Sequence, residues 1–412
     1  MKKVLLYFGG FSETIGGSEW MPLLFAEWLQ PRCRLTFATN TSVDFGKLAQ
    51  AYGIRVDPAR MECLVLKNEA TAFERVVGRA AGCTADLVLR RFGKRFDICI
   101  SCHNPRDFGR PAVCFLHMLY AHDPVFAIRC NNHEWFPARF SAPWWIFWIR
   151  RFARRFVPGL PRRPDRVLVD SRETIVPNSN FVKQTLEKVY GIHLTDAFYP
   201  PTLFSPLAEA VPRDRNIVYI GRIHEEKGID TIIDTVAEAR RRTGQATELY
   251  LAGVLSATPY CERLKARAAR CPWIHLLGGV YGRAKQELLA VHGFAIHVER
   301  TEAFGISITE YLKAGVVPVV PDSGGACEIV SDTDLSYATP AEAVAILTRL
   351  LTDPAFCAAK QVSCKARGER FTVDAYRARQ DAWLARILAG QPLPGTLQHT
   401  CYCYGQNKSG MV

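Results

Sequence analysis

Residues 294–321, FAIHVERTEAFGISITEYLKAGVVPVVP, read as strand, loop, helix and strand in immediate succession. FAIHVE is a short apolar run of the kind a buried strand requires. ERTEAFG is then the loop at its carboxyl end. ISITEYLKAG has helical spacing and closes on Gly315, and VVPVVP is a second buried strand. Two buried strands joined through a helix are the repeating unit of a parallel sheet. The same stretch sets two carboxylates eight positions apart, Glu302 in the loop and Glu310 about one turn into the helix. Such a pair suits proton transfer in glycoside hydrolysis, hydroxyl binding, or plain surface charge. Gly305, Ile306 and Ser307 would present amides at a helix N-terminus, a seat for phosphate flanked by two hydroxyl acceptors. That arrangement disfavours a proton-transfer couple, and the hydrolase reading is set aside. Solvated glutamates remain the bland alternative.

The strand–helix rhythm extends outward in both directions. Downstream of residue 215 it runs NIVYIG, GIDTIIDTVAEARRRT, ELYLAG, CERLKARAARC, IHLLGG and AKQELLAVHG. Upstream, KKVLLYF, CRLTFAT, FDICIS and PAVCFLH are strand-like, and EWMPLLFAEWLQ is helical. Four prolines interrupt the pattern in 199-YPPTLFSPLAEAVPRDR-215. The expected fold class is therefore α/β, with two Rossmann-like doubly wound parallel-sheet domains facing across a cleft. The expected divisions are residues 1–200, a linker at 201–214, a second domain at 215–370, a C-terminal helix at 371–390 packing back toward the first domain, and a loose tail at 391–412.

Length agrees with two domains, since 412 residues divide into units of about 100–200. The composition, 48% hydrophobic and 22% charged, excludes a disordered chain. A net charge of +12 asks for an acidic partner, whether phosphate ligand, nucleic acid or anionic membrane. The opening MKKVLLYFGGFSE has too short an apolar run for a signal peptide, so a cytoplasmic location with reduced thiols is expected. The fourteen cysteines form no framework. The one CxxC, Cys99 and Cys102, would point its thiols to opposite faces of a strand, as buried small residues. No apolar run is long enough to span a membrane.

Two loops offer cations or glycines to an anion. In 216-NIVYIGRIHEEKGIDTII-233, Arg222 and Lys227 straddle the turn after a strand, where they would neutralise a diphosphate. Alternatively, Glu225 and Glu226 pair with them in a solvated loop. In 8-FGGFSETIGGSEW-20, Gly16 and Gly17 permit close backbone approach before a helix, without the full spacing of a dinucleotide or P-loop motif.

Taken in order, GGSE, NSNFVKQTLEKVYG with YPP, GRIHEEKG, EAFGISITE and SGGACEIV resemble the retaining glycosyltransferases of family 4 over residues 1–388. The E-x7-E and Arg-x4-Lys motifs carry most of the likeness. The resemblance implies a GT-B fold and a nucleotide-diphosphate sugar donor, GDP- or UDP-linked. It implies that Arg222 and Lys227 bind the diphosphate and that Glu310 holds ribose hydroxyls. Glu302, with the amides of Phe304 and Gly305, would hold the transferred sugar. Gly16 and Gly17 would approach from the other domain. His117 falls where the family carries a histidine near the sugar, with His103 and His122 as rivals. Val280, in the loop after HLLGG, would border the base. Arg300-Thr301 departs from the pattern and would tune sugar choice. The catalytic set is then His117, Arg222, Lys227 and Glu302, with no cofactor and no metal required. The implied reaction moves a hexose (mannose, glucose or N-acetylhexosamine) to a glycan or lipid-linked acceptor with retention, in polysaccharide, lipopolysaccharide or glycolipid assembly. Rival readings are an epimerase-like or inverting GT-B enzyme and a non-catalytic sugar-nucleotide-binding protein.

The segment 141-SAPWWIFWIRRFARRF-156 sets Arg150, Arg151, Arg154 and Arg155 on one helical face and Trp145, Trp148, Ile149, Phe152 and Phe156 on the other. An interfacial helix on an anionic membrane has this pattern, as does a helix packed on its own domain. No nucleic-acid module accompanies it, so peripheral contact with the cytoplasmic membrane face is the expectation.

Overall fold

The computed structural model describes residues 1–11, 19–46, 48, 53–81, 83–102, 104–116, 160–162, 164–209 and 211–396. Gly16, Gly17, His103, His117, His122, Trp145, Trp148, Arg150, Arg151, Arg154 and Arg155 lie outside the described residues, as do positions 397–412.

Two six-stranded sheets form among the described residues, and every strand pair in them is parallel. The first contains β1 (Lys3–Tyr7), β2 (Arg34–Thr39), β3 (Glu62–Val65), β4 (Ile98–Ser101), β5 (Val113–Leu116) and β6 (Thr174–Pro177). The second contains β7 (Ile217–Ile220), β8 (Leu249–Ala252), β9 (Ile274–Gly278), β10 (Phe294–Ile296), β11 (Val317–Pro321) and β12 (Ser336–Tyr337). Their orders, β3-β2-β1-β4-β5-β6 and β12-β11-β10-β7-β8-β9, are the same doubly wound order met in opposite directions. In each sheet the order reverses beside the first strand, between β1 and β4 and between β7 and β10. In doubly wound sheets ligands bind at such a point, beyond the carboxyl ends of the strands.

Central strands are buried along nearly their whole length, as helices on both faces demand. Cys99 joins one face of the first sheet and Ile100 and Cys102 the other, so the CxxC thiols do point apart. The strands absent from the sequence reading are β3, β6 and β12. All three are short edge or near-edge strands, and β3 exposes Glu62 and Cys63 and so shows no continuous apolar run. β10 is shorter than FAIHVE suggests, ending at Ile296. His297 still donates its backbone N–H to Val319, at 2.9 Å, but the chain then turns away as a long loop.

The chain crosses between the domains twice. Thr202 N–H donates to the Phe371 carbonyl at 2.9 Å, so the two crossings run side by side. After the second, the helix Val373–Ala389 returns to the first domain. Its Tyr376, Trp383, Leu384 and Ile387 lie at helical spacing and join the cluster around Phe25, Phe115 and Phe198. The Phe198 ring sits 5.2 Å from Tyr376 and 4.9 Å from Trp383. Gln380 Nε2 donates to the Leu24 carbonyl at 3.0 Å, and Arg377 pairs with Glu27 at 2.9 Å. No described helix is long and apolar enough to cross a membrane.

Candidate active site

Three loops converge at the carboxyl edge of the second sheet. The first leaves β7 through Gly221 and Arg222, makes a short 3-10 turn at Glu225–Lys227, and enters the helix Ile229–Thr243 through Gly228 at φ +61°. A Cβ at Gly228 would stand 2.6 Å from Val298 Cγ2, so glycine here lets this loop lie against the second one. The second loop follows β10 and carries Glu299 and Glu302. The third follows β11 and enters the helix Gly324–Val330.

Lys227 joins the first two loops. Its ammonium lies 2.8 Å from Glu302 Oε2 and pairs as well with Glu299. Side-chain exposures of 14%, 19% and 22% make this a triad largely withdrawn from water. Burial alone would lower the Lys227 pKa, but Glu302 and Glu299 outweigh it and hold the ammonium above its ordinary range. Burial raises both carboxyls. In Glu302 the adjacent ammonium wins and the pKa falls, whereas Glu299 stays above the usual carboxylate range. Glu226 lies instead 3.7 Å from His224 Nδ1. Arg222 is exposed, and its guanidinium makes no ion pair among the described residues.

The loop ends at Gly305, whose φ of +94° begins the helix Ile306–Ala314. Ile308 and Thr309 donate to the Gly305 carbonyl at 3.0 and 3.3 Å. The N–H groups of Gly305, Ile306 and Ser307 have no backbone acceptor among the described residues and stand at the positive end of this helix. Glu310 is buried on this helix and accepts from Lys285 Nζ at 2.7 Å, so its carboxylate is held by a cation from the helix Gly282–Val291. Phe304 is buried, while Val280 is half-buried in the loop ahead of that lysine-bearing helix.

Beneath the triad, the His297 imidazole lies between Tyr219 and Tyr311, with ring centroids at 5.1 and 5.7 Å. Burial lowers its pKa to about 4, so it is neutral here, and Ser307 Oγ lies 3.4 Å from Nε2. The third loop braces the second. Gly325 N–H donates to the Glu302 carbonyl at 2.7 Å, and a Cβ there would stand 2.5 Å from Ala303 O and 2.6 Å from Phe304 Cα. This explains the paired glycines of SGGACEIV.

The structure thus gathers Arg222, Lys227, Glu302, Phe304, Gly305, Ile306, Ser307, Glu310 and, at the border, Val280 on one edge of one domain. Glu299, His297 and Lys285 belong to the same site and were not singled out from sequence. Glu299 lies three positions before Glu302, but nothing local signals that a lysine 72 residues away reaches it. Among the described residues no group of three or more His, Cys, Asp or Glu side chains is arranged to hold a metal ion.

Two facing doubly wound domains with a site of this kind at the second domain's switch point define the GT-B architecture. Residues 208–370 match the family model described as glycosyl transferases group 1. An uncharacterized glycosyltransferase of Bacillus subtilis, YqgM, is 26% identical over 167 residues, which cover 40% of this chain and 46% of YqgM. The chain thus spans less than half the length of that relative. Among solved structures, Anabaena HepE in complex with UDP and glucose superposes with a TM-score of 0.63 at 16% identity, covering 93% of this chain and all of HepE. WaaG, a glycosyltransferase involved in lipopolysaccharide biosynthesis, gives 0.61 at 16% identity over 94% of this chain and all of WaaG.

Proposed function

We propose that the protein is a glycosyltransferase moving a hexose from a nucleotide-diphosphate donor to an acceptor hydroxyl, with the donor held by the second domain. The observation that carries this is the Lys227–Glu302 pair, at 2.8 Å on the carboxyl edge of β7 and β10, within the segment that matches glycosyl transferases group 1. Cation and carboxylate stand together where a sugar diphosphate needs one for its phosphate and the other for its hydroxyls.

Transfer forms a bond from the acceptor oxygen to the anomeric carbon and breaks the bond from that carbon to the phosphate oxygen. The electron pair leaves with the nucleoside diphosphate, and the acceptor proton follows to that phosphate. Negative charge therefore grows on the leaving group. Arg222, Lys227 and the helix terminus at Gly305–Ser307 are groups suited to stabilise it without a metal. To reach the phosphate, Lys227 gives up part of its hold on Glu299 and Glu302, which frees Glu302 for sugar hydroxyls. Glu310 exchanges Lys285 for the ribose in the same way. Attack on the face the phosphate leaves would retain the anomeric configuration. A UDP- or GDP-sugar as donor, a glycan or lipid-linked acceptor, and cell-surface polysaccharide, lipopolysaccharide or glycolipid as product complete the reading. Work at the cytoplasmic face of an anionic membrane accords with the basic–aromatic segment at 141–156.

A thermal-shift panel of UDP, GDP, ADP and their sugars tests the donor, because a bound nucleotide raises the melting temperature. Donor hydrolysis and transfer are expected in the wild type and lost in Arg222→Ala and Lys227→Ala. Binding with no turnover under any acceptor would overturn the enzymatic reading. For the membrane, cosedimentation with anionic liposomes should fall when Arg150, Arg151, Arg154 and Arg155 are replaced, and unchanged cosedimentation would refute it.

A further inference from the structure

The helix Gly324–Val330 holds the donor-side loop at one end through the Gly325–Glu302 bond. Three residues on, Glu328 reaches into the other domain. Its Oε1 accepts from the backbone N–H and the side-chain amide of Asn180, at 3.0 Å each, and from the Tyr199 hydroxyl at 2.5 Å. Its Oε2 accepts from Phe181 N–H at 2.8 Å. Asn180 and Phe181 are the first two residues of the helix Asn180–Tyr190, so a carboxylate from one domain satisfies the open N–H groups of a helix in the other. Position and charge both favour this contact, because an anion is stabilised at the positive end of a helix and its hydrogen bonds are charge-assisted. Beside it, Ser179 Oγ donates to the Ala303 carbonyl at 2.5 Å, one residue from Glu302. The Tyr199 ring lies 6.0 Å from Phe304 in the same loop. The adjacent chain crossings at Thr202 and Phe371 are the covalent links between the domains, and two side-by-side links of this kind can serve as a hinge. Glu328 ties its own helix to the helix Asn180–Tyr190, and Ser179 ties that helix to the site loop, beside the crossings, where Phe371 packs against Tyr199 at 6.1 Å and Phe304 at 5.9 Å.

We propose that Glu328 is a positioning residue that locks the helix Asn180–Tyr190 onto the loop Glu302–Gly305 and thereby sets how acceptor and donor meet across the cleft. The inference rests on the proposed transferase reading for its catalytic consequence, but its structural half stands without it. Loss of the lock lets the domains rotate, leaving the donor in place and the acceptor misaligned. Water then competes for the anomeric carbon.

The test compares wild type with Glu328→Ala, Glu328→Gln and Tyr199→Phe by three measurements: calorimetric affinity for UDP and GDP, partition of the donor sugar between acceptor and water, and solution scattering of the free protein. In Glu328→Ala, nucleotide affinity should stay within about threefold while transfer falls about tenfold or more, the scale set by a misplacement on the order of an ångström. Hydrolysis should persist and the radius of gyration should rise. Glu328→Gln should lie between, since one oxygen still accepts while an amide now faces Phe181 N–H. A folded Glu328→Ala with wild-type partition and scattering overturns the proposal, as does a parallel loss of nucleotide affinity and transfer. If the alanine variant does not fold, wild-type behaviour of Glu328→Gln overturns it equally. A wild type that neither binds nucleotide nor turns over would sink the transferase reading, while scattering still decides the lock.

Discussion

Replacing Lys227 by methionine keeps most of the side chain's volume and removes the charge that Glu299 and Glu302 share. At 2.8 Å, and with an effective permittivity of about 20, the Lys227–Glu302 attraction is roughly 6 kcal/mol before desolvation. Burying the ions takes most of this back, so the useful number is the cost of deleting one partner, about 3–5 kcal/mol for a buried pair. With about a fifth of each carboxylate still exposed, the lower figure applies, about 3 kcal/mol at neutral pH. The pH dependence separates charge from packing. In the wild type, Lys227 has a raised pKa and contributes stability below its unfolded value of about 10.4, which is lost as pH rises above that. Glu302 has a lowered pKa and contributes stability above about 4.3, which is lost as pH falls. Without the lysine both carboxyls sit above their unfolded values, so the variant suffers most at pH 7.5 and recovers as they protonate. Glu299, raised already, protonates first. Calorimetry of wild type and Lys227→Met should show a midpoint lowered by roughly 6–12 °C at pH 7.5, at about 2–4 °C per kcal/mol. The gap should narrow to less than half of that at pH 5. Adding Glu299→Gln to the methionine variant should restore part of the loss at pH 7.5, as expected for coupled neighbours. An equal deficit at both pH values would mean lost packing rather than unpaired charge, and no deficit at all would refute the triad.

The neutral His297 makes a second pH signature. Its pKa of about 4 lies below the unfolded value near 6.5, so its contribution is present above pH 6.5 and about 2 kcal/mol of it is lost between pH 7 and pH 5. His297→Phe should flatten the stability profile by that amount over this interval; an unchanged slope would show that His297 is not the group titrating. Gly325→Ala should push Ala303 and Phe304 out of place, because its Cβ meets backbone atoms at 2.5 and 2.6 Å. We expect at least a tenfold loss of nucleotide affinity, roughly 1.4 kcal/mol, and wild-type affinity by calorimetry would show that the loop yields freely. Trp383→Ala should destabilise the first domain by about 3–5 kcal/mol, since it empties a buried site against Phe198. Unfolding followed by calorimetry reads this directly, and a change below about 1 kcal/mol would mean the C-terminal helix adds little to that core.

Much of the fold is legible in local patterns. FAIHVERTEAFGISITEYLKAGVVPVVP betrays its helix because Gly305 and Gly315 bracket an apolar stripe, and Gly315 adopts the positive φ that commonly ends a helix. Arg222 and Lys227 show themselves because each follows a buried strand whose carboxyl end is a binding edge in any parallel sheet. The edge strand β3 stays hidden, because half of its residues face water and no continuous apolar run marks it.

What the sequence determines by itself is therefore the strand–helix alternation, the two-domain division and the edge on which a ligand would sit. All of these follow from burial and turn chemistry within about 30 residues, the span of one strand–helix–strand unit. Partners are another matter. Lys227 meets Glu299 across 72 residues, and Asn180 meets Glu328 across 148, only because the strand order sets β7 beside β10 and the chain crossings face one domain toward the other. No local propensity encodes those meetings. The carboxylates that look like a pair in EAFGISITE are each bound to a different lysine, and only the packing of three loops and two domains decides which.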